Sequence, residues 1–489
     1  MGKEIKLNFR QIYLNPFKNL FYLVLLLIPL ISNYYKLYSF CLHATDFSIY
    51  QQAIFRLANT TVWNPYVTVR NVKIFNDHFD PIILVIAGLV KLFGESNFLL
   101  LFFEWCLAYF LPSILILKLV TSKDSINYIL AFSFLTMQLT LNAVLFPIHP
   151  TAWVILPLLY LCKSIELKKY KHILCAIIVL CFFKEYYPFC GFMLGIYYLL
   201  SAQLKKANLK EKKYELLFGF ILIAVSIVLA ILIFKVRPAL LGQTVGYATV
   251  LLNSIIQNPI DALYLNIQYF LKIKNLFLFF PLILILFLYI RKENNISSLN
   301  PILFCMVPIA AIQFLASSFE FQYGAPFAAL FIWISIKFKS ITCRIALCVF
   351  FISFLTGFKK YESLFHFWRK DNLSCNYDSE KLSKLNIIKK FIFSEIDPKI
   401  VASGGIIPAI LTSKSDIYQL GLWNPHFKKF NILILCKEPF CDGYPNTDED
   451  YEAVISQCKP DNLQVLQYEK DLYVAKGNFE QSCLVRIKK

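Results

Sequence analysis

The sequence predicts a polytopic α-helical membrane protein of about eleven transmembrane helices with a small C-terminal α/β domain outside the membrane. Hydrophobic residues make up 58% of the 489 residues and charged residues only 16%, which is far from the balance of a soluble enzyme. Apolar stretches follow one another with short basic clusters between them. Beyond about residue 380 they give way to short strand and helix patterns. We therefore expect a transmembrane domain at 1–360 and an α/β domain at 380–489.

The basic charge fits a membrane protein better than a nucleic-acid-binding protein. The chain has 49 Lys and Arg against 31 Asp and Glu, a formal net charge of +18. In a soluble protein such an excess indicates nucleic acid. Here the basic residues lie in the short segments between apolar stretches, as the positive-inside rule describes. We therefore expect membrane lipid and no nucleic acid as a partner.

The first apolar run, 20–31, follows four basic residues and is not followed by a small-x-small cleavage site. It is expected as an uncleaved span with the N-terminus in the cytoplasm. The segment 82–93 is too short to cross, because a helix of its length reaches roughly 18 Å against a hydrocarbon core of ~30 Å. The remaining predicted spans are 98–118, 125–145, 151–163, 172–183, 187–201, 215–235, 275–290, 300–318, 324–337 and 341–357.

Because the N-terminus is expected in the cytoplasm, the loop 37–81 that follows the first span is expected on the outer face. Asp46 precedes an amphipathic pattern, so we expect a helix lying on the outer surface with Asp46 at its N-cap. The segment 235–274 is also expected outside, with turns at Arg237-Pro238 and Asn258-Pro259. The polar residues brought to this face are Asp46, Gln52, Arg56, His78, Asp80, His149, Lys184, Glu185, Glu320 and Gln322.

Two positions within the apolar part of the chain carry ionisable groups. Lys184 and Glu185 interrupt LCFFKEYYPF, where a charge is costly and usually faces the bundle interior or a wet cavity. The alternative is a Lys/Glu pair that caps two short spans at the interface. His149 lies between two prolines in FPIHPT. A lone His there is more often a helix cap or a satisfied partner than a catalyst.

The tail is predicted to contain helices at 380–396 and 448–459 and strands around KIVASGG, FNILILC and LQVLQYEKDLYVAKG. Gly404 and Gly405 form a turn, because no phosphate-binding glycine motif is present. Two roles remain open for the tail: it binds a ligand, or it only covers the polar residues of the outer face. Cys436 and Cys441 can form a disulfide if the tail lies in an oxidising space. The other tail cysteines are Cys375, Cys458 and Cys483.

Four short motifs follow one another along the chain: DFSIYQQAIFRLANT, NDHFDPIILVIAGLVKLFG, FPIHPTAWVILPLL and FFKEYYPFCGFMLGIYYLL. In this order they resemble a bacterial family of predicted membrane proteins, the domain of unknown function numbered 2079. Tyr186 departs from the pattern, since the family usually has Asp there, and Gln322 replaces a His in FEFQYGAPF. The run IVASGGIIPAILTSKSDIYQLG resembles the family's closing domain. The matching positions are Asp46, Gln52, His78, Pro81, His149, Lys184 and Glu185.

That family is similar in layout to the GT-C glycosyltransferases, which carry an acidic residue in a large outer loop after the first span. The resemblance implies transfer of a sugar from a polyprenyl-phosphate donor to an acceptor at the outer face of the bacterial inner membrane. Such a transfer requires a base for the acceptor hydroxyl and positive charge for the departing phosphate. It does not require the second carboxylic acid of a hydrolase.

We therefore assign roles as hypotheses. Asp46 is the base, Lys184 and Arg56 hold the phosphate, and His78 and His149 orient donor or acceptor. Glu185 tunes Lys184 or binds Mg²⁺ or Mn²⁺ with Asp46 and Asp80, since carboxylate oxygens suit those ions. Gln52 and Gln322 complete the substrate-binding set. No metal ligand set is assigned, because spacing alone supports none.

Two other classes of function remain open. A transporter or flippase of a lipid-linked or anionic substrate would use the same intramembrane charges as a pathway. The chain shows no half-to-half similarity, and its polar groups cluster on one side instead of at mid-depth. A structural membrane protein whose outer domain binds a partner would leave Lys184 and Glu185 without a role.

Overall fold

The computed structural model describes residues 16–40, 42, 44–77, 79–119, 124–145, 148–204, 209–242, 260, 264, 267–268, 271–293, 299–315, 321–365, 379–395, 398–421, 427–437, 440–441, 447–469 and 471–484. Up to residue 365 these residues are mainly helical. The helices are α1 (Pro16–Tyr38), α2 (Ala44–Asn59), α3 (Ile74–Asp77), α4 (Ile83–Phe93), α5 (Asn97–Trp105), α6 (Leu111–Leu119), α7 (Asp124–Thr136), α8 (Gln138–Leu145), α9 (Ile155–Glu166), α10 (Tyr170–Leu180), α11 (Tyr187–Leu204), α12 (Leu209–Ile231), α13 (Arg237–Leu241), α14 (Ile273–Glu293), α15 (Asn300–Leu315), α16 (Ala325–Lys337) and α17 (Cys343–Phe365).

Several helices are joined or preceded by tighter or wider turns. Five-residue π-helices join α5 to α6 and α12 to α13, at Cys106–Phe110 and Leu232–Val236. Short 3₁₀ helices, Pro150–Val154 and Phe321–Gly324, lead into α9 and α16. The turn predicted at Arg237-Pro238 is wrong, because Pro238 lies within the continuous helix Leu209–Leu241, directly after the π-helix Leu232–Val236. The turn predicted at Asn258-Pro259 lies outside the described residues.

The count of eleven crossings is not confirmed. Within the described residues, three helices are long and apolar enough to cross a membrane, at Lys18–Tyr38, Asn97–Lys118 and Leu209–Leu241. The pair α7 and α8 counts as a fourth if its 56° bend lies within one span. Several other apolar helices are shorter, and the 11 residues of α4 or α10 reach about 16 Å, roughly half of the hydrocarbon core. The apolar pattern shows how much chain suits lipid but does not show where a helix breaks.

The helix predicted on the outer surface is α2, and two details of that prediction are wrong. It begins at Ala44, so Asp46 lies in its first turn and is not its N-cap. Residues 47–55 are buried, because α4 packs against α2 and the C-terminal tail also contacts it. The short hairpin of β1 (Tyr66–Val67) and β2 (Val72–Lys73) follows α2.

The tail contains helices and a small β-sheet, as predicted. Helix α18 (Ser379–Ser394) precedes β3 (Lys399–Ala402), and a 3₁₀ turn at Gly404–Ile406 leads to α19 (Ile407–Ile410). The strand β4 was not predicted. The remaining elements are β4 (Asp416–Gln419), β5 (Lys429–Cys436), α20 (Asp448–Gln457), β6 (Gln464–Tyr468) and β7 (Leu472–Glu480).

The five strands form one mixed sheet in the order β4-β3-β5-β7-β6. β3 pairs in parallel with β4 and β5, whereas β7 pairs antiparallel with β5 and β6. One face of the sheet joins the hydrophobic core of the helices through residues such as Ile400 and Ile432. The predicted disulfide Cys436–Cys441 is confirmed, and a second joins Cys458 to Cys483. Cys375 lies outside the described residues.

Candidate functional site

The centre of the candidate site is a buried ion pair between Lys184 and Asp80. Lys184 Nζ lies 3.6 Å from Asp80 Oδ1 and 3.8 Å from Glu185 Oε2. Both Lys184 and Asp80 are almost fully buried, at 3% and 1% exposure. A backbone hydrogen bond of 3.1 Å from Ile82 N to Phe182 O holds the two segments together. From the sequence, Asp80 was expected on the outer face, with a role only as one possible ligand of Mg²⁺ or Mn²⁺ beside Asp46 and Glu185.

The Lys184 ammonium makes no hydrogen bond within the part of the chain that the structure describes. Both carboxylate distances exceed hydrogen-bond range, so the contacts are electrostatic. Burial alone would lower the pKa of Lys184, but the negative charges of Asp80 and Glu185 outweigh burial and raise it. The site therefore holds a protonated lysine with three donors directed at no described acceptor.

Tyr50 on α2 links Asp80 to the outer helix. Its hydroxyl donates a hydrogen bond of 2.5 Å to Asp80 Oδ2. Burial raises the pKa of Asp80 to about 6, while the charge of Lys184 acts in the opposite direction. Burial also raises the pKa of Tyr50, and the charges of Asp80 and Asp46 raise it further. Asp46, half-buried one turn before Tyr50, thus lies within electrostatic range of the cluster.

His149 borders the same cluster. Its ring lies edge-on to Tyr50 at 5.2 Å between centroids and 6.0 Å from Tyr323. His149 also caps the 3₁₀ helix Pro150–Val154, because its Nδ1 accepts a hydrogen bond of 3.4 Å from Thr151 N. Burial and the nearby charge of Lys184 lower its pKa, so the imidazole is neutral. His149 therefore caps this 3₁₀ helix and at the same time borders the cluster.

Glu104 supports the His149 segment and was missed by the sequence analysis. Its fully buried carboxylate accepts hydrogen bonds from His149 N at 3.3 Å and from Trp153 Nε1. Ile148, just before the histidine, has a φ of 51°, a conformation costly for a β-branched residue. The signal in the sequence was a lone acid in the apolar run FLLLFFEWCL. Glu104 thus fixes a strained loop at the edge of the site.

Gln52 and Arg56 lie away from the cluster, against the tail. Arg56 pairs with Asp416 at 2.6 Å and donates hydrogen bonds to the carbonyl oxygens of Tyr66 and Ser415. Gln52 Nε2 donates to Thr68 Oγ1 at 2.7 Å and to Ser415 O at 3.2 Å. The structure therefore does not bring these two residues to Lys184.

Two further predicted residues are described in part or not at all. His78 lies outside the described residues, between Asp77 and Phe79. Gln322 belongs to the 3₁₀ helix Phe321–Gly324, but only its backbone is described. Its neighbour Tyr323 lies within electrostatic range of Lys184 and Asp46.

The carboxylates do not form a divalent-cation site. No group of three His, Cys, Asp or Glu side chains arranged for a metal ion occurs among the residues that are described. Lys184 Nζ lies within 4 Å of both Asp80 and Glu185, and its charge would repel a cation held by the two carboxylates. The predicted binding of Mg²⁺ or Mn²⁺ by Asp46, Asp80 and Glu185 therefore does not fit the arrangement.

One family model matches the chain, described as a predicted membrane protein, DUF2079, over residues 36–332. The match includes α2, the buried ion pair and the His149 segment. It ends before the tail, so the resemblance expected there is not part of it. No curated protein matches the sequence.

Proposed function

The chain belongs to the DUF2079 family of predicted membrane proteins, and we propose that it is an inverting glycosyltransferase. It transfers a sugar from a polyprenyl-phosphate donor to an acceptor at the outer face of a bacterial inner membrane. The observation that carries this proposal is the buried Lys184 ammonium, which makes no hydrogen bond with the described residues. A cation held in this way suits the charge that develops on a departing phosphate.

In the proposed reaction, the acceptor hydroxyl oxygen attacks C1 of the sugar from the face opposite the phosphate. The C1–O bond to the phosphate breaks, and its electron pair leaves with the polyprenyl phosphate. The proton of the acceptor hydroxyl passes to the Asp46 carboxylate. Asp46 suits this role better than Asp80, because Asp46 is half-buried whereas Asp80 is enclosed and bonded to Tyr50.

The other predicted residues keep proposed roles that follow their positions. His149, neutral and beside Tyr50, orients donor or acceptor by hydrogen bonding. Glu185 tunes the charge of Lys184. His78 and Gln322 orient substrate, since Asp77 and Tyr323 next to them lie within electrostatic range of Lys184. Gln52 and Arg56 hold the tail against α2, so the phosphate is assigned to Lys184 without Arg56.

The proposed membrane arrangement is a GT-C-like bundle of about eleven crossings with the N-terminus in the cytoplasm and the tail outside. Two observations support an outer tail. Both described disulfides lie in it, whereas eight described cysteines of the helical part are free. Disulfides persist in oxidising spaces and are rare in the cytoplasm.

The test is transfer of radiolabelled sugar from a panel of polyprenyl-phosphate sugars to membrane extract by purified protein. We expect incorporation with the wild type, loss with Asp46→Asn and Lys184→Gln, and normal incorporation with the exposed tail variant Asp461→Asn. Full activity of Asp46→Asn would exclude the base role. Absence of transfer from every donor by folded protein would exclude the transferase.

A flippase of an anionic lipid is the second candidate. The buried pair of Asp80 and Lys184 favours it, because a carboxyl with a pKa of about 6 can exchange a proton during transport. Lipid flux across proteoliposomes, lost with Asp80→Asn and independent of any acceptor, would identify a flippase. Retention of the flux in that variant would exclude this proton-coupled mechanism.

A further inference from the structure

Arg237 is a half-buried cation that contacts the segment of Asp80, and no function was predicted for it from the sequence. It lies at the start of α13, near the end of the continuous helix Leu209–Leu241. Its guanidinium carbon lies 5.5 Å from the centroid of the Phe79 ring, on which the group packs. Phe79 is adjacent to Asp80, so neighbouring residues of one segment contact Arg237 and Lys184 in turn.

The guanidinium has donors without described acceptors. Arg237 Nε and Nη1 are buried and make no hydrogen bond with the residues that the structure describes. The charges of Glu185, Asp80 and Asp77 act on it from a distance. Asp77 is already bound to Arg70 at 2.6 Å, and Asp80 is bound to Tyr50. Leaving charged donors buried and unsatisfied is costly, which indicates that an anionic ligand completes the site.

We infer that Arg237 and Lys184 together bind the phosphate of a lipid, Arg237 through two oxygens and Lys184 as a point charge. The planar fork of an arginine matches the geometry of two phosphate oxygens, whereas a lysine neutralises charge without fixing orientation. This inference rests on the proposed function, because it assigns a residue to the donor of that reaction.

The helix that carries Arg237 indicates a lipid as the source of the phosphate. Apolar side chains exposed along this helix are Ile227, Val228, Ile231, Leu232, Val236 and Leu240, and Leu240 is 80% exposed. They give the C-terminal half of this helix an exposed apolar surface suited to hydrocarbon chains. A free phosphate would make no use of that surface, whereas a polyprenyl chain would lie along it.

The experiment measures binding of fluorescent polyprenyl phosphate, without sugar, to the full chain in nanodiscs. We expect Arg237→Gln to weaken binding roughly tenfold to a hundredfold, as for loss of charged hydrogen bonds. Arg237→Lys keeps the charge but loses the fork, so its affinity should fall between those of the wild type and Arg237→Gln. Lys235→Gln, an exposed cation on the same helix, should bind as the wild type does.

Competition separates the two sources of phosphate. Inorganic phosphate at the same concentration should not displace the probe, and equal competition would overturn the lipid assignment. Wild-type affinity of Arg237→Gln, in protein with an unchanged melting temperature, would overturn the inference even if sugar transfer is detected. If Arg237→Gln does not fold, Arg237→Lys supplies the same test. Arg237-dependent binding without sugar transfer would support the lipid-phosphate site and oppose the transferase.

Discussion

Tyr50 donates a hydrogen bond of 2.5 Å to Asp80, and this bond joins the helix that carries Asp46 to the partner of Lys184. The side chains of Tyr50 and Asp80 therefore link the candidate base, Asp46, to the candidate phosphate-binding cation, Lys184. A change in the charge of Asp80 should therefore affect both Tyr50 on α2 and the Lys184 ammonium. The first two predictions follow from this connection.

Binding of a polyprenyl-phosphate sugar should strengthen as the pH falls from 7 to 5. Burial raises the pKa of Asp80 from 3.8 to about 6, so the carboxyl gains a proton in this range. The loss of its charge removes the repulsion between the Asp80 carboxylate and a phosphate bound at Lys184. We therefore expect roughly a fivefold to tenfold gain in affinity. The phosphodiester of the polyprenyl-phosphate sugar keeps its charge between pH 7 and pH 5, so the ligand does not contribute to the change. Asp80→Asn should bind the polyprenyl-phosphate sugar at every pH with the affinity that the wild type has at pH 5. If this variant keeps the wild-type pH dependence, Asp80 is not the group that titrates.

Tyr50→Phe should move the midpoint of that binding curve to higher pH. The hydrogen bond from Tyr50 lowers the pKa of Asp80, so its removal lets the carboxyl keep its proton to higher pH. The measurement is probe affinity against pH for the variant and the wild type. Tyr34→Phe, an exposed tyrosine on α1, is the matched control and should leave the curve unchanged. Superimposable curves for Tyr50→Phe and the wild type would show that the bond does not control Asp80.

Glu104→Ala should destabilise the protein much more than Glu104→Gln. Alanine leaves the N–H groups of His149 and Trp153 buried without their acceptor, at about 1–3 kcal/mol each. Glutamine keeps one oxygen that can accept them. Thermal unfolding in detergent measures the difference, and sugar transfer by Glu104→Gln tests whether the His149 segment keeps its position. Equal melting temperatures for the two variants would show that the carboxylate does not hold this loop.

The sequence predicted the type of fold better than its interior arrangement. Composition indicates a membrane protein because lipid demands apolar length, which a sequence shows directly. The pairing of Lys184 with Asp80 depends on a contact across about a hundred residues, which no local pattern contains. The burial of α2 was missed for the same reason, since its polar residues Gln51, Gln52 and Arg56 each bond to the tail. These amides and charges made the helix resemble a solvent-exposed one.

Arg56→Ala should loosen the tail from α2. The side chain of Arg56 binds Asp416 and the carbonyl oxygen of Ser415 across this interface, and Asp416 is only partly buried, so solvent weakens the pair. The amide of Ile417, which bonds to Thr68 Oγ1 at 3.1 Å, should exchange its hydrogen roughly tenfold faster. Lys73→Ala, an exposed cation on β2, is the control. Exchange of Ile417 at the wild-type rate would show that Arg56 does not hold the tail.

Removal of the disulfide Cys458–Cys483 should destabilise the tail more than removal of Cys436–Cys441. The two bonds close chain segments with separations of 25 and 5 residues. Because a longer loop loses more freedom in the unfolded chain, loop entropy gives about 3.5 kcal/mol for the first bond and about 2 kcal/mol for the second. Paired Cys→Ser variants and unfolding by denaturant measure both. If the short bond contributes as much as the long one, native contacts and not loop entropy set the stability of the tail.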